Sequence, residues 1–243
     1  MSVLDVQALR KHFGAVPAAA DISLSFDADT VVSLIGANGA GKTTFLNMVT
    51  GYLRPDSGRI VFDGRDIVGL SPRQITKLGV ARSFQIPQLF QTLSVRDNLL
   101  IAESIAAAED PQAATEAVLE RFTLRGYAAQ PAGLLPEGIR KLLDVAMALS
   151  SRSRLLLLDE PTSGVSAEEK FPMMDTIMAA LGTERDTTVL FVEHDMDIVA
   201  RYADRVIAFY SGRIIADDVP HKALGTDDVR RYVTGELLQE APS

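Results

Sequence analysis

The chain has 243 residues, and its 24 Lys and Arg set against 32 Asp and Glu leave a formal charge of −8. That balance excludes a global electrostatic drive toward nucleic acid or an anionic membrane surface, and the lack of any cysteine excludes disulfide frameworks, thiolate metal sites and cysteine nucleophiles. With 47% hydrophobic and 23% charged residues, the composition is that of one packed domain, or a core with one appendage, rather than a disordered chain.

Residues 1–13 are polar and charged and lack the apolar centre of a signal peptide. No run approaches the roughly 18 uninterrupted apolar residues of a membrane span, so the chain is expected to be soluble by itself. Residues 21–27 alternate polar and apolar, with Ile22, Leu24 and Phe26 on one face, as in a half-buried strand. Residues 30–35 form a β-branched and apolar run broken only by Ser33, the pattern of a strand buried on both faces. The run ends at Gly36, and residues 42–50 read as a helix. A turn at residues 54–58 leads to a strand at 59–62 and the Asp63-Gly64 turn.

From residue 94 to about 132 the composition shifts to Ala, Leu and Glu, which predicts helix, closed by Pro131, Gly133 and Pro136. Leu142, Val145, Ala146 and Leu149 recur at helical spacing on one apolar face. Buried strands are expected at 154–158 and 187–192, a hairpin at 205–216, and a short amphipathic helix at 227–238. Strands and helices thus alternate on either side of an inserted helical block at about 91–150. The expected fold is α/β, with a core formed by residues 1–90 and 151–243.

Two motifs carry chemistry. Gly36-Ala37-Asn38-Gly39-Ala40-Gly41-Lys42-Thr43 fits the phosphate-loop pattern G-x-x-x-x-G-K-[ST]. Glycines let the backbone curl so that successive N–H groups face phosphate oxygens, and the helix that follows adds its dipole. Lys42 supplies a charge to the β and γ phosphates of ATP, and the Thr43 hydroxyl is a ligand for Mg2+. Thr44 continues the helix start and completes the candidate nucleotide-binding set. Farther on, the apolar run Leu155-Leu156-Leu157-Leu158 ends in Asp159 and Glu160. Such a pair standing alone would be a loop start or a helix cap. Beside a phosphate loop, Asp159 reads as a partner of the magnesium shell and Glu160 as the group that polarises the attacking water.

With His194 in Glu193-His194-Asp195 at a predicted strand end, the chain resembles the ATP-binding subunits of ABC transporters over nearly its whole length. The resemblance implies a P-loop core with an antiparallel β subdomain and an inserted α-helical subdomain. It implies further that Gln85 touches magnesium and water and senses the membrane partner, that His194 contacts the γ-phosphate, and that residues 163–169 form the loop crossing a dimer interface. Phe13 stands where the family places an aromatic on adenine; an ordinary core or surface phenylalanine is the other reading. The strings Ala81-Arg82-Ser83-Phe84-Gln85, Leu89-Phe90, Asn98-Leu99-Leu100 and Val192-Glu193-His194-Asp195-Met196 look like the branched-chain amino-acid importers. Urea, amide and aromatic-acid importers share them.

The family signature begins Leu-Ser-x-Gly, whereas this chain reads Leu135-Pro136-Glu137-Gly138-Ile139-Arg140-Lys141. Pro136 removes a hydroxyl and a backbone N–H, while Gly138 keeps its N–H at the helix start and Arg140 or Lys141 is expected to add positive charge. In the family two subunits meet head to tail, each ATP lying between one phosphate loop and the other chain's signature. The expectation is therefore pairing with a different ATPase that carries a complete signature, with a homodimer as the alternative in which Pro136 is tolerated. The resemblance also implies two membrane-spanning permease subunits, a solute-binding protein beyond them, and a place on the cytoplasmic face of the inner membrane. A soluble ABC ATPase of translation or DNA maintenance is disfavoured by the single phosphate loop and the charge of −8. A module that binds nucleotide without hydrolysis is disfavoured by Glu160.

Overall fold

A computed structural model describes residues 2–150, 153–182 and 187–235. The described residues fall into two compact units, one drawn from Met1–Leu78 and Thr188–Ser243, the other from Gly79–Thr187. The first opens with β1 (Ser2–Phe13), β2 (Val16–Asp27) and β3 (Val31–Ile35), followed by α1 (Lys42–Val49), β4 (Ser57–Phe62), β5 (Arg65–Asp66) and α2 (Pro72–Lys77). The second contains β6 (Val80–Ser83), α3 (Val95–Ile105), α4 (Pro111–Arg121), two short 3-10 turns, α5 (Glu137–Leu149), β7 (Leu155–Asp159) and α6 (Ala167–Gly182). The chain then returns to the first unit as β8 (Thr188–Val192), α7 (Met196–Tyr202), β9 (Arg205–Tyr210), β10 (Arg213–Asp218), α8 (Pro220–Ala223) and α9 (Asp227–Val229).

In the first unit, β2, β1, β4 and β5 form an antiparallel sheet in that order. Along β2 the buried Ile22, Leu24 and Phe26 alternate with exposed Ser23, Ser25 and Asp27, the period-two pattern of a sheet with one wet face. β1 was not legible from alternation because the alternation breaks: Leu4 and Val6 face inward, then Leu9 does. The register with β2 shifts between Val6 and Leu9, where Ala8 takes φ 46°. That extra residue is a bulge, which turns Leu9 back to the core side. β3 lies between β8 and β9, parallel to both, and β10 pairs antiparallel with β9. Phe45 of α1 joins the two sheets, its ring centroid 6.2 Å from that of Phe26 and 5.7 Å from that of Phe209.

The second unit holds β6 and β7 as a parallel pair, with Val80 opposite Leu155 and Ser83 opposite Leu158. All five residues of β7 are buried, as its unbroken leucine run requires. The predicted helical stretch is broken between α3 and α4. Ser94 and Asp97 form a capping box at the start of α3, and Asp110 caps α4 with Pro111 in its first position. At the far end of the chain, the helix expected at 227–238 is a single turn of α9 running into a π turn, Arg230–Thr234, stopped by Gly235 at φ 72°. Tyr232 stacks on Tyr210 at 4.3 Å; residues 236–238 lie outside the described residues. Among the described residues no helix is long and apolar enough to cross a membrane.

Candidate functional site

The phosphate loop runs from the buried end of β3 into α1. Two of its glycines have no room for a side chain: a Cβ on Gly36, at φ +149°, would lie 2.4 Å from the Phe209 carbonyl oxygen. One on Gly41, at φ +114°, would lie 2.4 Å from that of Ala18. The neighbouring backbone is stitched to the loop, since the Gly212 N–H donates to the Ala40 carbonyl at 2.9 Å and the Ala20 N–H to the Gly212 carbonyl at 2.8 Å. Within the loop the Ala40 N–H reaches the Ala37 carbonyl at 3.1 Å. Ala37, Asn38 and Gly39 are exposed, and Gly39 at φ +80° has open space on its Cβ side.

Lys42 is buried, and its ammonium curls back over the loop to donate to the Gly36 carbonyl at 2.5 Å and the Ala37 carbonyl at 3.2 Å. Thr43 is exposed and Thr44 half-buried in the first turn of α1, where helix N–H groups have no intrahelical acceptor. Backbone donors, the positive end of a helix and an ammonium thus sit on one eight-residue segment, a combination suited to a chain of phosphates. Phe13 ends β1 at 53% exposure, with the Lys11 ammonium 5.8 Å from its ring centroid. His194 is exposed after β8, its N–H donating to the Glu193 carboxylate at 3.2 Å, and Asp195 caps α7 by accepting from the Asp197 N–H.

The second unit gathers the acidic residues. β7 carries Asp159 to its end and Glu160 just past it, where Glu160 takes φ 52°. The left-handed region is uncommon for a residue with a side chain, and it turns Glu160 away from the line of the strand. The Arg82 guanidinium holds Asp159 Oδ2 at 2.6 Å, with both side chains more than nine-tenths buried. Gln85, exposed after β6, donates from Nε2 to Glu160 Oε2 at 2.8 Å. The sequence points to Glu160 through the acidic pair that ends the leucine run and to Gln85 through the family resemblance; within this unit the two touch.

Two further residues join this cluster: Asp144, which was not anticipated as a site residue, and Lys141, which was expected only as a charge at the signature. Lys141 on α5 is buried and donates from its ammonium to the Glu160 carbonyl at 2.7 Å. Asp144, one turn on, is also buried, and its two oxygens accept the Phe84 N–H at 3.0 Å and the Gln88 N–H at 2.9 Å. Burial pushes the Asp144 carboxyl above the usual carboxylate range, against the pull of those two N–H donors and of Lys141. The only signal in the sequence was the opposite charges of Lys141 and Asp144, three residues apart, with Asp144 set among the apolar residues of that helix. The positive charge expected at the start of α5 is not on offer there: Arg140 pairs with Glu137, and Lys141 points to Glu160. Pro136 caps α5 without a side-chain hydrogen bond, and a Cβ on Gly138 would meet only ordinary contact, 3.6 Å from Val165 Cγ1.

Among the described residues there is no cluster of three or more metal-ligating side chains. An ion that keeps most of its waters and takes phosphate oxygens needs no such cluster. The exposed Thr43 hydroxyl and the Asp159 carboxylate, one oxygen of which is occupied by Arg82, are hard oxygen donors of the kind magnesium accepts.

The sequence profile of the ABC transporter family matches residues 19–163. The high-affinity branched-chain amino acid transport ATP-binding protein BraF of Pseudomonas aeruginosa is 34% identical, the match covering 96% of this chain and 98% of BraF. A probable branched-chain amino acid transport ATP-binding protein LivG of Archaeoglobus fulgidus is 33% identical over 97% of this chain and 96% of its own. Among solved structures, a nucleotide-free ATP-binding cassette from an ABC transporter superposes with a TM-score of 0.83 at 30% identity, covering 94% of this chain and 97% of that one. The ADP conformation of another such cassette gives a TM-score of 0.83 at 28% identity, covering 99% of this chain and all of that one.

Proposed function

We propose that this chain, which belongs to the ABC transporter family and is one of its ATPases, powers the import of branched-chain amino acids or related small solutes through separate membrane subunits. The observation that carries the solute class is the end-to-end match to BraF, nine-tenths or more of both chains. Docking on membrane subunits is supported by the loop after β6, where Ile86 is 75% and Phe90 50% exposed beside Gln85; apolar side chains left in water next to a functional loop suit a protein contact. The chain would sit on the cytoplasmic face of the inner membrane, held there by those subunits.

The roles proposed for the residues combine their chemistry with the family resemblance. The phosphate loop binds the phosphates of ATP through backbone N–H groups and Lys42, and Phe13 offers its exposed face to the adenine. By the family resemblance, Thr43, Asp159 and Gln85 would hold magnesium, each offering a hard oxygen donor. The ion, when bound, neutralises charge on the β and γ phosphates. Glu160 orients and polarises the attacking water, and His194 steadies the γ-phosphate; phosphoryl transfer asks for little beyond such positioning and charge stabilisation.

Pro136 sets the proposed partnership. Replacing the signature serine removes a donor to the partner's γ-phosphate, and Glu137 and Arg140 neutralise each other rather than compensating. Losing a hydrogen bond to a charged group costs about 1.5–3 kcal/mol. The chain therefore pairs with a second, different ATPase whose complete signature serves this chain's own phosphate loop. Uptake of labelled leucine into vesicles that contain the permease subunits, this chain and the second ATPase tests the whole reading. ATP-dependent uptake abolished by Glu160→Gln supports it. ATP hydrolysis without uptake of leucine, valine or isoleucine, but with uptake of urea or an amide, would move the solute class and leave the ATPase in place.

A further inference from the structure

We propose that Lys141 and Asp144 are positioning residues for hydrolysis: through them α5 holds both the turn that carries Glu160 and the loop that carries Gln85. The two lie three residues apart, so they share a face of the helix. From that face Lys141 reaches the Glu160 carbonyl at 2.7 Å, fixing the backbone at the residue whose φ of 52° aims its side chain. Asp144 grips the other element at two points, accepting from Phe84 just before Gln85 and from Gln88 three residues after it. The Gln85 amide then closes the ring on the Glu160 carboxylate at 2.8 Å. Six residues form one circuit, and both of its anchors are on α5.

Burying a lysine and an aspartate, at 4% and 7% exposure, is an expensive way to stabilise a helix. Charged side chains in the interior commonly gain nothing over apolar side chains of the same size. The pair makes sense where directional bonds are needed, and here its bonds go to the backbone on either side of Gln85 and to that of Glu160. The anchors also sit just after the start of α5, five and eight residues beyond Pro136. This proposal rests on Glu160 being the hydrolytic carboxylate.

Two readouts test it. In the complex with the second ATPase, Lys141→Met is expected to lower the kcat for ATP tenfold or more, since small misplacements of a reacting group are costly. ATP affinity should stay within about threefold, because no phosphate contact is removed, and Lys141→Arg should recover much of the rate. A loss of kcat matched by an equal loss of ATP affinity, or no loss at all, overturns the proposal. A complex whose rate is unchanged by Glu160→Gln refutes the hydrolytic reading instead, a separate result. Hydrogen exchange on the purified chain reads the circuit without turnover and covers the case in which Lys141→Met does not fold. Asp144→Asn should speed exchange at the Phe84 or Gln88 amide by tenfold or more, leaving α1 unchanged; unaltered protection at both amides overturns the proposal.

Discussion

The side chain of Gln85 donates to the carboxylate of Glu160 across 2.8 Å, joining the loop after β6 to the turn after β7. The contact makes distinct predictions for the two residues. Glu160→Gln keeps the shape and loses the charge, so phosphate release should fall by about 10²–10⁴, the usual contribution of a positioned acid or base. Gln85→Ala leaves that carboxylate in place and should slow release less than Glu160→Gln does. A colorimetric phosphate assay on both variants decides the order.

Lys42 is tied to the Gly36 and Ala37 carbonyls, so its ammonium is already held over the loop before any phosphate arrives. Lys42→Ala should weaken ATP binding by about 1.5–3 kcal/mol, the worth of a charged hydrogen bond, or about ten- to 150-fold in Kd. Equilibrium titration with a fluorescent ATP analogue measures it.

The loop glycines are not equivalent. Gly41→Ala puts a methyl 2.4 Å from the Ala18 carbonyl oxygen at φ +114°, whereas Gly39→Ala at φ +80° meets open space. The second change should cost only the left-handed penalty of about 1–2 kcal/mol; the first should cost more, because backbone must also move. Urea unfolding of the two variants should rank Gly41→Ala as the less stable.

Much of this was readable in advance where one signal governs one element. The leucine run of β7 and the glycine spacing of the phosphate loop each have a single physical reading, and β3, α1 and β7 lie where that reading puts them. β1 was not, because the bulge at Ala8 interrupts its period, and a bulge is a long-range pairing decision that local pattern does not record. β6 is only four residues long, too short to show a period. Glu160 was legible from the acidic pair after the leucine run and Gln85 through the family, but their contact was not. Lys141 and Asp144 remained hidden because a charged pair on a helix ordinarily signals a solvated face, and only tertiary packing shows that this pair is buried.

Asp144 also makes a prediction about pH. Its carboxyl is raised by burial, so the folded state favours the neutral form more than the unfolded state does. A raised carboxyl contributes stability that is fully present below the ordinary carboxylate range and is lost as pH rises through the raised value. Asp144→Asn has no such dependence and leaves one N–H short of an acceptor, at about 1–3 kcal/mol. The stability gap between wild type and Asp144→Asn should therefore narrow as pH rises from 4 toward 8. Urea midpoints across that range test it; a gap that widens with pH contradicts it.

The most direct single measurement is phosphate release by the purified chain, alone and mixed with an ATPase subunit that carries a complete Leu-Ser-x-Gly signature, with Glu160→Gln as the control. Pro136 in this chain's own signature predicts slow release alone and a rise of about tenfold or more on mixing, all of it abolished by Glu160→Gln. Brisk, Glu160-dependent release from a homodimer of this chain, unchanged by the second subunit, would contradict the asymmetric pairing.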